Sequence, residues 1–157
     1  MSVNYTQLSP AALKGLFDMG AAIRQSGLEA SLVDLIKIRA SQMNGCLFCT
    51  DMHAKEARLH DVRELKLHHL PFWRESELFS PREKSALEWT ERLTRFPEGG
   101  VEEASLEKLH LQFSDQEVSD LTLAIANINA WNRLGVAFKT KPGSLDQAMG
   151  LDRAGMN

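Results

Sequence analysis

Apolar residues recur three and four positions apart along almost the whole chain, and Gly, Pro and capping residues mark the breaks. That pattern is helical throughout. Ser9-Pro10 sets a cap before a proline at the first helical position, and Leu13, Leu16, Phe17, Gly20 and Ile23 follow at helical spacing until Ser26-Gly27. From Glu29 to Met43, Leu32, Val33, Leu35, Ile36, Ile38 and Ala40 cover most of the circumference, which predicts a buried central helix closed by Asn44-Gly45. Residues 46–60 contain no Gly, no Pro and no β-branched run, and predict a helix with Cys46 in its first turn.

A short helical piece, Val62 to Leu70, stops at Pro71, and Phe72-Trp73 reads as a loop or single turn. Ser80-Pro81-Arg82-Glu83 combines a cap, a proline and a capping-box glutamate; its helix runs to about Arg95 and buries Ala86, Leu87, Trp89 and Leu93. The stripe Trp89, Leu93 and Phe96 reads as core rather than as a cofactor slot. Pro97-Glu98-Gly99-Gly100 is a break, and a helix over roughly 102–111 follows. Ser114-Asp115-Gln116-Glu117 is a second capping box and opens the longest helix, about 115–139, which ends before Pro142-Gly143. The last fifteen residues are small and polar and predict a frayed end or an arm. No segment alternates with period two as a strand would. The expectation is an all-α protein with one helical domain over 1–142, a core stretch at 29–60 and a C-terminal tail at 143–157.

Composition changes this picture little. With 157 residues, 43 % hydrophobic and 25 % charged, the chain suits one globular domain with a real core. A net charge of −3 without a clustered basic surface speaks against nucleic-acid binding. No stretch approaches the ~18 apolar residues of a membrane span. The start, Met1 to Gln7, lacks the basic and apolar regions of a signal peptide, so the expected compartment is a reducing cytoplasm. There a cysteine pair is more often catalytic or metal-binding than structural.

The candidate chemistry sits in residues 44–58, which hold both cysteines of the chain. On a helix, Cys46, Cys49 and His53 stack along one stripe. A disulfide closing about four residues is worth only roughly 2 kcal/mol in the chain-entropy model. Helical i,i+3 Cβ atoms also lie about 5–6 Å apart, beyond the ~3.8 Å a relaxed disulfide prefers, which favours a cycling bond over a staple. Zinc is the main rival: Cys46, Cys49 and His53 supply three ligands and Asp34 a fourth. Against it, His60, His68, His69 and His110 show no paired spacing, and His68 and His69 read as surface residues. Two inert buried cysteines are a third reading. Within the redox reading, Cys46 lies nearest the helix N-terminus, which favours a thiolate. Cys49 lies within reach of His53 as general base. The residues alone leave the attacking thiol open. No Gly-rich phosphate loop, nucleophile elbow or dinucleotide fingerprint occurs.

The run from Asp34 to His53 (an acid, eleven intervening residues, then Cys-x-x-Cys-x-x-x-His) resembles the core of AhpD-like alkylhydroperoxidases of the carboxymuconolactone decarboxylase superfamily. Ile128-Asn129-Ala130-Trp131-Asn132-Arg133 is similar to a second family element, which packs near the site, serves a subunit interface or is plain core and surface. The resemblance implies an all-helical homo-oligomer, a trimer or hexamer, with sites near subunit interfaces. It implies a peroxidase that reduces alkyl hydroperoxides, with Cys49 attacking, Cys46 resolving, and His53 and Asp34 handling protons. No bound cofactor is implied; an external lipoyl-type dithiol or a thiol adaptor protein would reduce the disulfide. The family's acid is usually glutamate where this chain has Asp34, and Phe48 stands where some members carry histidine between the cysteines. A metal-binding or interaction protein built on Cys46, Cys49 and His53 is the alternative from another class. A decarboxylase-type relative is a third, although its proton chemistry needs no cysteine pair.

Overall fold

The computed structural model describes residues 3–156. Met1 and Ser2 of the lead-in and Asn157 of the tail lie outside the described residues. In chain order the helices are α1 (Tyr5–Leu8), α2 (Pro10–Arg24), α3 (Ala30–Asn44), α4 (Leu47–Leu59), α5 (Glu64–His69), α6 (Pro81–Thr94), α7 (Glu103–His110), α8 (Asp115–Ala137) and α9 (Asp146–Met149). Single 3-10 turns occupy Leu70–Phe72 and Leu151–Ala154, and the described residues contain no strand. The fold is all-α, as the periodicity predicts.

Both capping boxes form. Ser80 Oγ accepts from the Glu83 N–H while Glu83 accepts from the Ser80 N–H, and Ser114 and Glu117 repeat the exchange at α8. α3 is the centre of the molecule, packed against α4, α6 and α8, with Leu32 to Ile36, Ile38, Ala40 and Ser41 all buried. Two apolar clusters flank it. One joins α2, α3, α6 and α8 through Ile23, Ile36, Trp89, Leu121 and Ile125. The other joins α3, α4 and the 62–79 stretch through Leu35, Ala57, Leu70, Trp73 and Phe79.

One expectation needs correction. Ala86, Leu87 and Trp89 are buried and Leu93 partly so, but Phe96 is 70 % exposed. α6 ends at Thr94 and Arg95 takes an extended backbone, so Phe96 has left the helical stripe. In α2 only Leu13 and Ile23 are buried, while Phe17 lies outside with its ring 4.9 Å from that of Trp131. Of the two readings of the tail, a frayed end or an arm, the structure shows the arm. Lys55 Nζ on α4 donates to Asp146 at 2.6 Å and Asp51 at 3.0 Å, Asp51 accepts from the Gly143 N–H, and Leu151 is buried against the fold. The tail therefore lies along α4 as an arm.

Candidate active site

The chain reverses between α3 and α4 at Gly45, whose φ of 67° is the left-handed conformation that glycine takes without penalty. Cys46 follows with extended backbone and is the N-cap of α4, its N–H bonded to Ser41 O at 3.0 Å. Its Sγ accepts from the Cys49 N–H at 3.3 Å, and the two cysteines are joined as a disulfide. This corrects the expectation that Cys46 sits inside the first turn of the helix. One residue of extended chain before the helix puts the Cα atoms 5.3 Å apart, within the ordinary disulfide range.

Both sulfurs are buried, Cys46 1 % and Cys49 2 % exposed. Ala40 and Ile128 pack on them, with Phe48 and Trp131 at the margin. The cover comes from α8, where Gly135 meets the disulfide directly. A Cβ at position 135 would lie 2.8 Å from Cys46 Sγ and 3.2 Å from Cys49 Sγ. An amide network locks this approach. Asn132, fully buried, donates to Ser41 Oγ at 2.9 Å and accepts from Asn44, which also donates to Asn129. Arg133 only bonds back to Asn129 at the surface. Asn132 thus ties α8 to the end of α3 beside the cysteines. Periodicity says nothing about Gly135, because only the tertiary approach of α8 makes its missing side chain matter.

His53 lies one turn after Cys49 on the same face of α4 and is 5 % exposed. Its Nδ1 bonds Glu56 Oε2 at 2.6 Å. A carboxylate on Nδ1 selects the tautomer that leaves Nε2 as the basic nitrogen. Glu56 is a site residue the sequence reading missed, although its i,i+3 spacing from His53 was a usable signal. Asp34 is buried in the same region, but its hydrogen bond goes elsewhere, to His60 Nδ1 at 2.5 Å. Thus Cys46 and Cys49 are joined and His53 shares the face of α4 that carries Cys49, while Asp34 faces His60.

Environment sets the charge of each group. Burial, the largest influence, pulls His53 below the usual imidazole value, and the Glu56 bond only partly offsets it. Burial pushes Glu56 up, yet the His53 bond and the charges of His53, Lys37 and His60 outweigh it and hold the carboxyl low. At Asp34 burial wins over the His60 bond and raises the carboxyl. The arrangement is a neutral imidazole base, held by an ionised carboxylate, beside a sulfur pair. Among the described residues no group of three or more His, Cys, Asp and Glu is placed to hold a metal ion.

The sequence profile of the carboxymuconolactone decarboxylase family matches residues 10–92, more than half of the chain. The chain belongs to this family. It is similar to the uncharacterised protein YdfG of Bacillus subtilis (strain 168), 37 % identical over 142 residues that span 90 % of this chain and 97 % of the relative. Among solved structures it is similar to ATU0492 of Agrobacterium tumefaciens, a protein of unknown function provisionally assigned as the antioxidant defence protein AhpD. That likeness has 38 % identity, covers 90 % of this chain and 97 % of the other, and has a TM-score of 0.84. An AhpD-core, peroxidase-related protein of Ralstonia eutropha JMP134 shares the fold at 20 % identity, with 88 % and 74 % coverage and a TM-score of 0.78. The chain is therefore an AhpD-like member of the superfamily. The matched span ends inside α6, so the α8 cover with Asn132 and Gly135 lies outside it. No helix of the described residues is long and apolar enough to cross a membrane.

Proposed function

We propose that this protein is a thiol-dependent peroxidase that reduces alkyl hydroperoxides by cycling Cys46 and Cys49 between dithiol and disulfide. The observation that carries the reading is the bonded pair at the head of α4 with the Glu56-held His53 one turn along the same face. In the reduced state His53 Nε2 takes the Cys49 proton. The thiolate attacks the terminal peroxide oxygen, the O–O bond breaks, and the alkoxide leaves as alcohol with the proton. The Cys49 sulfenic acid then condenses with the Cys46 thiol, releasing water and forming the disulfide. Glu56 positions His53, and Asp34 serves proton transfer from the far side of the same helix pair. An external dithiol of lipoyl type, free or on an adaptor protein, returns two electrons. A homo-oligomer working in the cytoplasm completes the reading.

A stopped reaction of the reduced protein with tert-butyl hydroperoxide, read by intact mass, tests this. Wild type loses two hydrogens, and Cys46→Ser stops at a sulfenic acid on Cys49. Cys49→Ser gives no turnover, and full activity in that variant would sink the proposal.

A further inference from the structure

A disulfide this deeply buried raises the question of how protons reach it. Re-reduction by an external dithiol, the step required by the reading above, delivers an electron pair to the Cys46–Cys49 bond. That bond breaks into two thiolates, the reductant becomes a disulfide, and two protons must enter the site.

The seam between α3 and α4 carries a line of titratable side chains that leads from the sulfurs to the surface. Along α4, Cys49, His53, Glu56 and His60 stand at i, i+4, i+7 and i+11, one continuous stripe about 16 Å long at 1.5 Å per residue. α3 runs antiparallel to it: Ser41 meets Cys46 at one end, and Asp34 meets His60 at the other. Lys37 lies between, close enough for its charge to act on His53, Glu56 and Asp34. Both inner hydrogen bonds, His53–Glu56 and Asp34–His60, join an imidazole to a carboxylate. The outer end is open. His60 is the C-cap of α4 with a side chain 45 % exposed, whereas Asp34 beneath it is 3 % exposed. His60 also borders a surface cleft of about 250 Å³, whose charged groups are Asp61, Arg63, Lys66 and Glu83.

We propose that His60, bonded to Asp34, is the port through which the buried disulfide site exchanges protons with solvent. An imidazole is suited to this because one ring nitrogen can take up a proton while the other gives one away, and Asp34 below it passes the proton along the seam toward Glu56 and His53. His60 touches neither sulfur and acts through Asp34.

The test separates this from the peroxidase reading, because it follows reduction of the disulfide by dithiothreitol and needs no peroxide. In dilute buffer His60→Ala is reduced about 100-fold more slowly than wild type, the lower end of the range ascribed to a single proton-transfer group. Imidazole added to solution restores the rate in proportion to its concentration, while wild type is indifferent to it. His110→Ala, which removes a surface histidine paired with Asp115 far along the chain, behaves as wild type. Wild-type rates in His60→Ala overturn the proposal, and so does a slow variant that imidazole fails to rescue, which marks a structural role. A wild-type disulfide that resists every dithiol overturns port and cycle together. Normal reduction of wild type and imidazole-rescued reduction of His60→Ala, without any reaction of the reduced protein with peroxide, uphold the port and overturn only the peroxidase reading.

Discussion

At the scale of single residues, the site depends on what is missing at position 135 as much as on what is present at 46, 49 and 53. A methyl at Gly135 would enter a space the two sulfurs already fill, and a disulfide has no flexible end that can swing aside. Overpacking of this kind costs about 1–3 kcal/mol, against a gain of about 1 kcal/mol when alanine replaces glycine inside a helix. Gly135→Ala is expected to lower the stability of the oxidised protein by up to about 2 kcal/mol, read as the shift in its urea midpoint. A gain in stability would mean that α8 can lift off the pair at no cost. The cysteines and His53 were legible because their spacing is local to one helix. Gly135 and the Asn44–Asn132–Ser41 network were not, because they join residues about ninety positions apart. Asp34 was legible as an acid at the right distance along the chain, but not its partner. Whether His53 or His60 receives it is decided by the register of α3 on α4, which leaves Glu56 closer to His53.

At the scale of elements, helices with local start signals were readable, whereas composition left the tail open between a frayed end and an arm. The boxes at Ser80–Glu83 and Ser114–Glu117 lie within four residues and form as written. α8 ends at Ala137, two residues before the expected stop, where Phe138 stacks on Tyr5 of α1. The tail after Pro142 has the composition of a loose end, yet it is pinned by tertiary contacts that no local pattern encodes. The chief one is Lys55, whose buried ammonium is held above its ordinary pKa first by Asp146, against the cost of burial, and also by Asp51. Asp146→Asn removes one of those charges and leaves Lys55 buried against Asp51 alone. Amide exchange over 143–154 is expected to rise in this variant while exchange in α3 stays unchanged. Unaltered exchange in the tail would show that Leu151 alone holds the arm down.

At the scale of the whole molecule, His53 and four glutamates are shifted down, and that direction governs how the fold responds to acid. His53 is held below its ordinary value by burial. Glu29, Glu56 and Glu91 are held low because their hydrogen bonds and nearby arginine, lysine or histidine charges outweigh burial. Glu117 sits at about 2, chiefly through the Ser114 N–H and then Arg82. A group whose pKa falls on folding binds a proton more tightly in the unfolded chain. Its contribution is therefore complete above the unfolded value and lost as pH drops. For His53 that loss begins near pH 6.5, and for the glutamates near 4.3. Asp34 works the other way. Raised by burial, it takes up its proton more readily in the fold, so its contribution grows as pH falls through the raised value toward about 3.9. Urea midpoints of the oxidised protein are expected to be level at pH 7–8, to decline from about 6.5 and to fall more steeply below about 4.3. His53→Gln should lack the first decline. Asp34→Asn, without the opposing carboxyl, should steepen the loss at lower pH. A level profile from pH 7.5 to 5 would mean that His53 is solvated in solution, and a base open to water would not need a relay through the α3–α4 seam.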